Sequence, residues 1–144
     1  MSPQIDNQIA GKKPAKKMLI IDDSEVNRYL LETVLSQLGY QVSSAEDGKS
    51  GLDKFKQNRP FITFLDIVMP GKSGMEILRQ IKQISPSSIV VMVSSFSSKE
   101  NLYEAKNAGA NWFLVKPITA SKIEELVVYF EKKSIEKNLK IESE

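Results

Sequence analysis

Residues 61–66 read Phe61-Ile62-Thr63-Phe64-Leu65-Asp66. Five residues of high strand propensity run straight into a single carboxylate. A short apolar run without polar alternation predicts a strand buried on both faces, hence a central strand of a parallel sheet. Asp66 then stands at the carboxyl end of that strand, the side on which open α/β sheets place their ligand crevice. Pro70 and Gly71 follow, so the chain turns before any helix begins. Three other strand-like runs end in chemistry as well. Met18–Ile21 is followed by Asp22-Asp23, Ile89–Val93 by Ser94, and Trp112–Val115 by Lys116. Three carboxylates, one hydroxyl and one ammonium are therefore expected along one edge of one sheet.

Working outward, 144 residues are one domain by length and long enough for a real core. The absence of cysteine excludes disulfides, thiolate metal sites and thiol catalysis. The absence of histidine excludes Ser-His-Asp triads and imidazole ligands, leaving Asp, Glu, Lys and hydroxyls to carry any chemistry. No apolar run approaches the ~20 residues that span a bilayer, and the early lysines lead into no apolar segment. A cytoplasmic protein with no membrane insertion is expected. Residues 1–17 carry a net +3, residues 18–120 are neutral and residues 121–144 carry −1. A neutral body with a small basic tail is not a nucleic-acid footprint, which gathers its cations on a folded face.

Taken in order, residues 1–16 read as a disordered basic tail. After the first strand, Asp23 or Ser24 can cap a helix of about residues 25–38. Its stripe is Val26, Leu30, Val34, Leu35 and Leu38, and Gly39 stops it. A second strand spans residues 40–45, and Asp47-Gly48 leads into a helix over 49–58 with Leu52 and Phe55 inward. Ser73 with Glu76, Ser97 with Glu100 and Ser121 with Glu124 match capping boxes for three further helices. The helix after Ser97 is poor in apolar residues, with Leu102, Ala105 and Ala108 as nearly its whole inner face, and should be weakly held. The last helix carries Ile123, Leu126, Val127 and Phe130 inward and runs on, frayed, through Ile135 and Leu139. Five strands alternating with five helices predict βαβ units, a parallel sheet and right-handed crossovers.

Clustered carboxylates at such an edge can bind a hard cation through oxygen, and they repel one another unless a cation or Lys116 offsets them. A carboxylate beside a divalent cation and a lysine can attack phosphorus to give an acyl phosphate. Each residue alone has a plainer reading. Asp22-Asp23 can simply cap a helix, Asp66 can be a turn residue, Lys116-Pro117 a solvated lysine before a turn. The set gains weight because its members fall at strand ends, in order, along one edge.

Asp22-Asp23, Asp66 with Met69-Pro70 and Gly74, Ser94, and Lys116-Pro117 together resemble the receiver domain of two-component response regulators. The likeness covers nearly all of the chain except its tails, with residues 17–131 as the receiver and 132–144 as a helical extension and tail. It implies a flavodoxin-like doubly wound fold with a five-stranded parallel sheet in the order 2-1-3-4-5 and five helices. It implies that Asp66 accepts a phosphoryl group and that Mg²⁺, with Mn²⁺ as an alternative, is held by Asp23, Asp66 and the backbone carbonyl of Val68, with Asp22 acting through water. Lys116 would pair with the phosphoryl group across a cis Lys116-Pro117 bond. Ser94 and Phe113 would form the switch pair, with the fourth helix, fifth strand and fifth helix as the output face. Val68 and Phe96 occupy the positions where the family tunes hydrolysis. Both are apolar here, so neither orients an attacking water, and a long-lived phosphoaspartate is expected. Phe113 stands where tyrosine is commoner.

The expected function is a phosphorylation-switched signalling module with no separate turnover activity. Its implied partners are a histidine kinase or histidine phosphotransfer protein and a downstream protein target, the chain itself being a monomer or weak dimer. A phosphorelay intermediate, a phosphate sink and a phosphorylation-independent docking module are the alternatives. A phosphohydrolase of the haloacid dehalogenase type needs a second Asp two residues after its nucleophile, where Val68 stands. A flavin mononucleotide carrier needs a phosphate cradle after the first strand, where Asp22-Asp23 would repel phosphate.

Overall fold

The computed structural model describes residues 16–95 and 98–143. Five strands, β1 (Lys17–Ile21), β2 (Gln41–Ala45), β3 (Ile62–Asp66), β4 (Ile89–Ser94) and β5 (Trp112–Val115), form one parallel sheet in the order β2-β1-β3-β4-β5. They alternate with α1 (Glu25–Gln37), α2 (Gly48–Asn58), α3 (Gly74–Ile84), α4 (Lys99–Asn107) and α5 (Ala120–Ser143). The expected flavodoxin-like topology is what the chain adopts.

Alternate residues of each inner strand feed two separate cores, because successive side chains point to opposite faces. Met18, Ile20, Phe64, Val91 and Leu114 face one layer, closed by Leu31 and Leu35 of α1 and by Ile123, Val127 and Phe130 of α5. Leu19, Ile21, Leu65, Val90 and Met92 face the other, closed by Phe55 of α2, by Ile77, Leu78 and Ile81 of α3, and by Ala105 of α4. β3 is buried along its whole length, as a strand covered on both faces must be. Its register places Phe64 between Ile20 and Val91 and aligns Asp66 with Val93. β2 and β5 are the edges and are more exposed.

Local sequence sets the helix ends. Ser24, Asp47 and Ser73 cap α1, α2 and α3, each side chain accepting a backbone N–H three residues on. Gly39 ends the α1 turn at φ 96, a left-handed geometry that side chains resist. Two expected caps move. α4 is capped by Ser98, which accepts from Asn101, whereas Ser97 lies outside the described residues. α5 starts at Ala120, and Thr119 rather than Ser121 accepts from Lys122. Ser98 has the extended backbone of a cap, and Ser121 already lies inside the helix that begins at Ala120. The inner stripe of α1 also shifts. Leu31 is fully buried while Val26 is 77% exposed and Leu38 is also exposed. On α4 only Ala105 is buried and Leu102 is exposed, which leaves that helix with the thin attachment its sequence predicts.

α5 continues unbroken through Ile135 and Leu139 to Ser143, with both apolar side chains exposed. It is fastened at its middle. Glu131 accepts from Lys16 at 2.7 Å and from the Tyr40 hydroxyl at 2.5 Å. Burial alone would raise the Glu131 carboxyl, but the hydrogen bonds from Lys16 and Tyr40 prevail and hold it below its ordinary value. Burial, then the Glu131 contact, pushes the Tyr40 phenol upward. No helix among the described residues is long and apolar enough to cross a membrane.

Candidate phosphoacceptor and cation site

Each functional side chain is delivered by the end of a strand. Asp22 follows β1, and its backbone N–H donates to the Ala45 carbonyl at 3.1 Å, which locks the β1–α1 turn onto β2. Oδ1 of Asp22 accepts the Ser24 N–H at 2.8 Å, and the Asp22 carbonyl accepts from Arg28 Nη1 at 2.8 Å. Asp66 is the last residue of β3, with Oδ1 accepting the Val68 N–H at 3.4 Å. Lys116 follows β5, held in place by its own N–H donating to the Ser94 carbonyl at 2.8 Å and leading into a cis bond to Pro117.

These elements converge. Lys116 Nζ lies 3.4 Å from Asp22 Oδ2 and 3.5 Å from Asp66 Oδ2. One carboxylate oxygen from each of Asp22, Asp23 and Asp66 lies within 4.8 Å of the others. Asp22 and Asp66 are buried, and Asp23 is exposed at the mouth. Burial first, and the Asp22 charge second, push the Asp66 carboxyl up to about 6. Lys116 and the Val68 N–H pull against that rise, and Asp23 adds to it. One ammonium thus offsets three carboxylates only in part. Oδ2 of Asp22 is buried and, among the described residues, accepts no hydrogen bond. An all-oxygen donor set with negative charge to spare and a buried acceptor aimed into it suits a hard divalent cation such as Mg²⁺.

Ser94 is fully buried at the end of β4, where it aligns with Val115. Phe113 is half-buried on β5 against the core face that α4 covers. A groove of about 250 Å³ beside it is lined by Leu102, Ala105 and Trp112 among others. A second groove of about 410 Å³ runs between β5 and α5, past Val115 and Tyr129. Val68 is 57% exposed beside Asp66. Phe96 lies outside the described residues.

Arg28 escaped the sequence reading, and Gly74 entered it as a motif residue without its structural role. A Cβ on Gly74 would sit 2.1 Å from the Asp66 carbonyl oxygen and 2.7 Å from Ile67 Cα, so the start of α3 rests directly on the strand end that presents Asp66. The Gly74 N–H donates to the Ile67 carbonyl at 2.8 Å. Arg28 fixes the Asp22 backbone from the first turn and a half of α1. The spacing Asp66–Gly74 was visible, but the contact that demands glycine was not.

A family model for the response regulator receiver domain matches residues 18–128. The chain is 32% identical over 111 residues to the chemotaxis protein CheY of Thermotoga maritima, covering 76% of this chain and 92% of that one. It is 33% identical over 112 residues to the sporulation initiation phosphotransferase F of Bacillus subtilis, covering 78% and 90%. Among solved structures it resembles a CheY-like receiver domain protein from Methanospirillum hungatei, with a TM-score of 0.79 and 27% identity over 85% of this chain and 98% of that one. It also resembles a chain of the CheX–CheY–BeF₃–Mg²⁺ complex of Borrelia burgdorferi, with a TM-score of 0.76 and 27% identity over 79% and 87%.

Proposed function

Because this chain belongs to the response regulator receiver domain family, and so is a phosphorylation-switched signalling module, we propose that Asp66 is its phosphoacceptor and that the donor is a phosphohistidine. The donor resides on a histidine kinase or a histidine phosphotransfer protein. The observation that carries this reading is the convergence of Asp22, Asp23 and Asp66 within 4.8 Å of one another, with Lys116 beside Asp66.

An ionised Asp66 oxygen attacks phosphorus from the sheet edge as the bond to the departing imidazole nitrogen breaks. Asp22, Asp23, Asp66 and the Val68 carbonyl are the groups that would hold Mg²⁺ or Mn²⁺, Asp22 acting through water. The cation, when bound, neutralises charge that builds on the phosphoryl oxygens. Lys116 gives up its two carboxylate contacts and pairs with the new phosphoryl group. Ser94 donates its hydroxyl to a phosphoryl oxygen, and Phe113 turns into the space that Ser94 vacates. That exchange repositions α4 against β5 and α5, altering the face offered to a protein target. The receiver is assigned to residues 17–131 and a helical extension and tail to 132–144, with α5 running to Ser143.

The test is intact mass of the protein after exposure to a small-molecule phosphodonor and Mg²⁺. One added phosphoryl group is expected, absent in Asp66→Asn and absent without the cation. An adduct that persists in Asp66→Asn rules out this assignment. Similarity to a phosphotransferase of a sporulation pathway favours a phosphorelay intermediate as the second reading. Transfer of the label onward to a histidine phosphotransfer protein separates it from a terminal switch.

A further inference from the structure

At the opposite edge of the sheet from Asp66, a pocket of about 490 Å³ opens where the α2–β3 turn, the α3–β4 turn and the far half of α5 meet. Its ionisable lining residues are Arg59, Lys133 and Lys137, all cations, and tyrosine apart no acidic group lines it. None of the three makes an ion pair with a carboxylate among the described residues. This happens in a chain with 18 acidic residues, several of them on α5 itself. Lys133 and Lys137 stand one helical turn apart, a spacing at which like charges destabilise a helix. Arg59 holds φ at 48, a left-handed position that glycine or asparagine would fill at lower cost. Glu136, three residues on from Lys133, and the Tyr129 ring under Lys133 at 5.7 Å answer part of that charge, and a bound anion would answer the rest.

The walls define the anion further. Ser85, Ser87 and Ser134 add hydroxyls, while Phe61 and Tyr129 add ring surface, each ring with one ammonium over it, Lys16 at 4.1 Å and Lys133 at 5.7 Å. The volume falls within the range of small-molecule sites, and Arg59, Lys133 and Lys137 are exposed at its mouth. We propose that this pocket binds a small molecule carrying two or more phosphate groups on a ring-bearing frame, as a nucleoside diphosphate does. The cations and hydroxyls take the phosphates and the aromatic wall takes the ring. The site is independent of Asp66 and of any divalent cation.

Trp112, the single tryptophan, packs on Tyr129 at 5.1 Å and on Phe130 at 6.0 Å between ring centroids, and both of those rings line the pocket. It is therefore a built-in energy-transfer donor for a ligand bound there. The experiment uses the full chain and the fluorescent nucleotide mant-ADP, with EDTA present so that the acidic edge takes no part. Saturable energy transfer from Trp112 is expected, reversed by unlabelled ADP and by inorganic pyrophosphate. The double variant Lys133→Glu, Lys137→Glu should weaken binding at least tenfold, with circular dichroism unchanged. Lys132→Glu alters an exposed lysine on the same helix that does not line the pocket, and it should leave affinity within twofold. No saturable binding below ~1 mM overturns the proposal. So does equal loss in Lys132→Glu, which would mean general charge attraction, or failure of pyrophosphate to compete.

Discussion

At Asp66 the folded chain holds a proton more tightly than the unfolded chain does, because burial and then the Asp22 charge oppose ionisation. The sign of the consequence follows by linkage. A carboxyl raised from 3.8 to about 6 costs nothing while protonated in both states, and it destabilises the fold as pH rises through that window. Above pH 6 the cost levels off on the order of 1–3 kcal/mol, after allowance for solvent at the mouth of the site. Asp66→Asn should therefore be more stable than the native chain at pH 7.5 without divalent cation and no more stable at pH 4, as measured by urea unfolding. At Val68, an exposed valine beside Asp66 offers no group to orient water. Val68→Asn should shorten the phosphoaspartate lifetime several-fold in a single-turnover decay measurement; an unchanged lifetime would refute the role given to Val68. At Gly74, the missing Cβ is what lets α3 rest on the Asp66 carbonyl. Gly74→Ala should cost about 2 kcal/mol or more and lower the phosphorylation rate together with stability, because the strand end must shift.

Among the elements, α1 shows how far helical periodicity reaches. Val26, Leu30, Val34, Leu35 and Leu38 form an acceptable stripe on paper, yet Leu31 is the fully buried residue and Val26 is open to solvent. The face the helix turns to the core carries Leu31, Val34 and Leu35. Leu31→Ala should cost about 2–4 kcal/mol in unfolding free energy, whereas Val26→Ala should stay within about 0.5. If the two cost the same, the packing of α1 described above is wrong. α4 is the opposite case. A sequence with few apolar residues predicts weak attachment, and burial of Ala105 alone is what the fold provides. An element so lightly held can change position at little cost, which suits the moving part of a switch.

For the whole molecule, a cation held at the acidic edge should be linked to folding. At pH 7.5 Mg²⁺ at ten times its dissociation constant should add about 1.4 kcal/mol, or about 3–6 °C in thermal midpoint. At pH 4.5 protons occupy Asp66 and the shift should largely vanish. A shift of equal size at both values would argue against binding at these carboxylates. By itself, the sequence determined the alternation of strands and helices, the burial of β3, and the placement of Asp22, Asp66, Ser94 and Lys116 at strand ends, because those features follow from local periodicity and turn chemistry. Likeness to a family supplied the strand order, which periodicity alone cannot give. Only the tertiary structure decided that Lys116 reaches both Asp22 and Asp66, and that Gly74 must lack a side chain. It alone gathered Arg59, Lys133 and Lys137 around one pocket. Those outcomes depend on contacts between residues far apart in the chain, and a one-dimensional pattern carries distances along the chain but none across it.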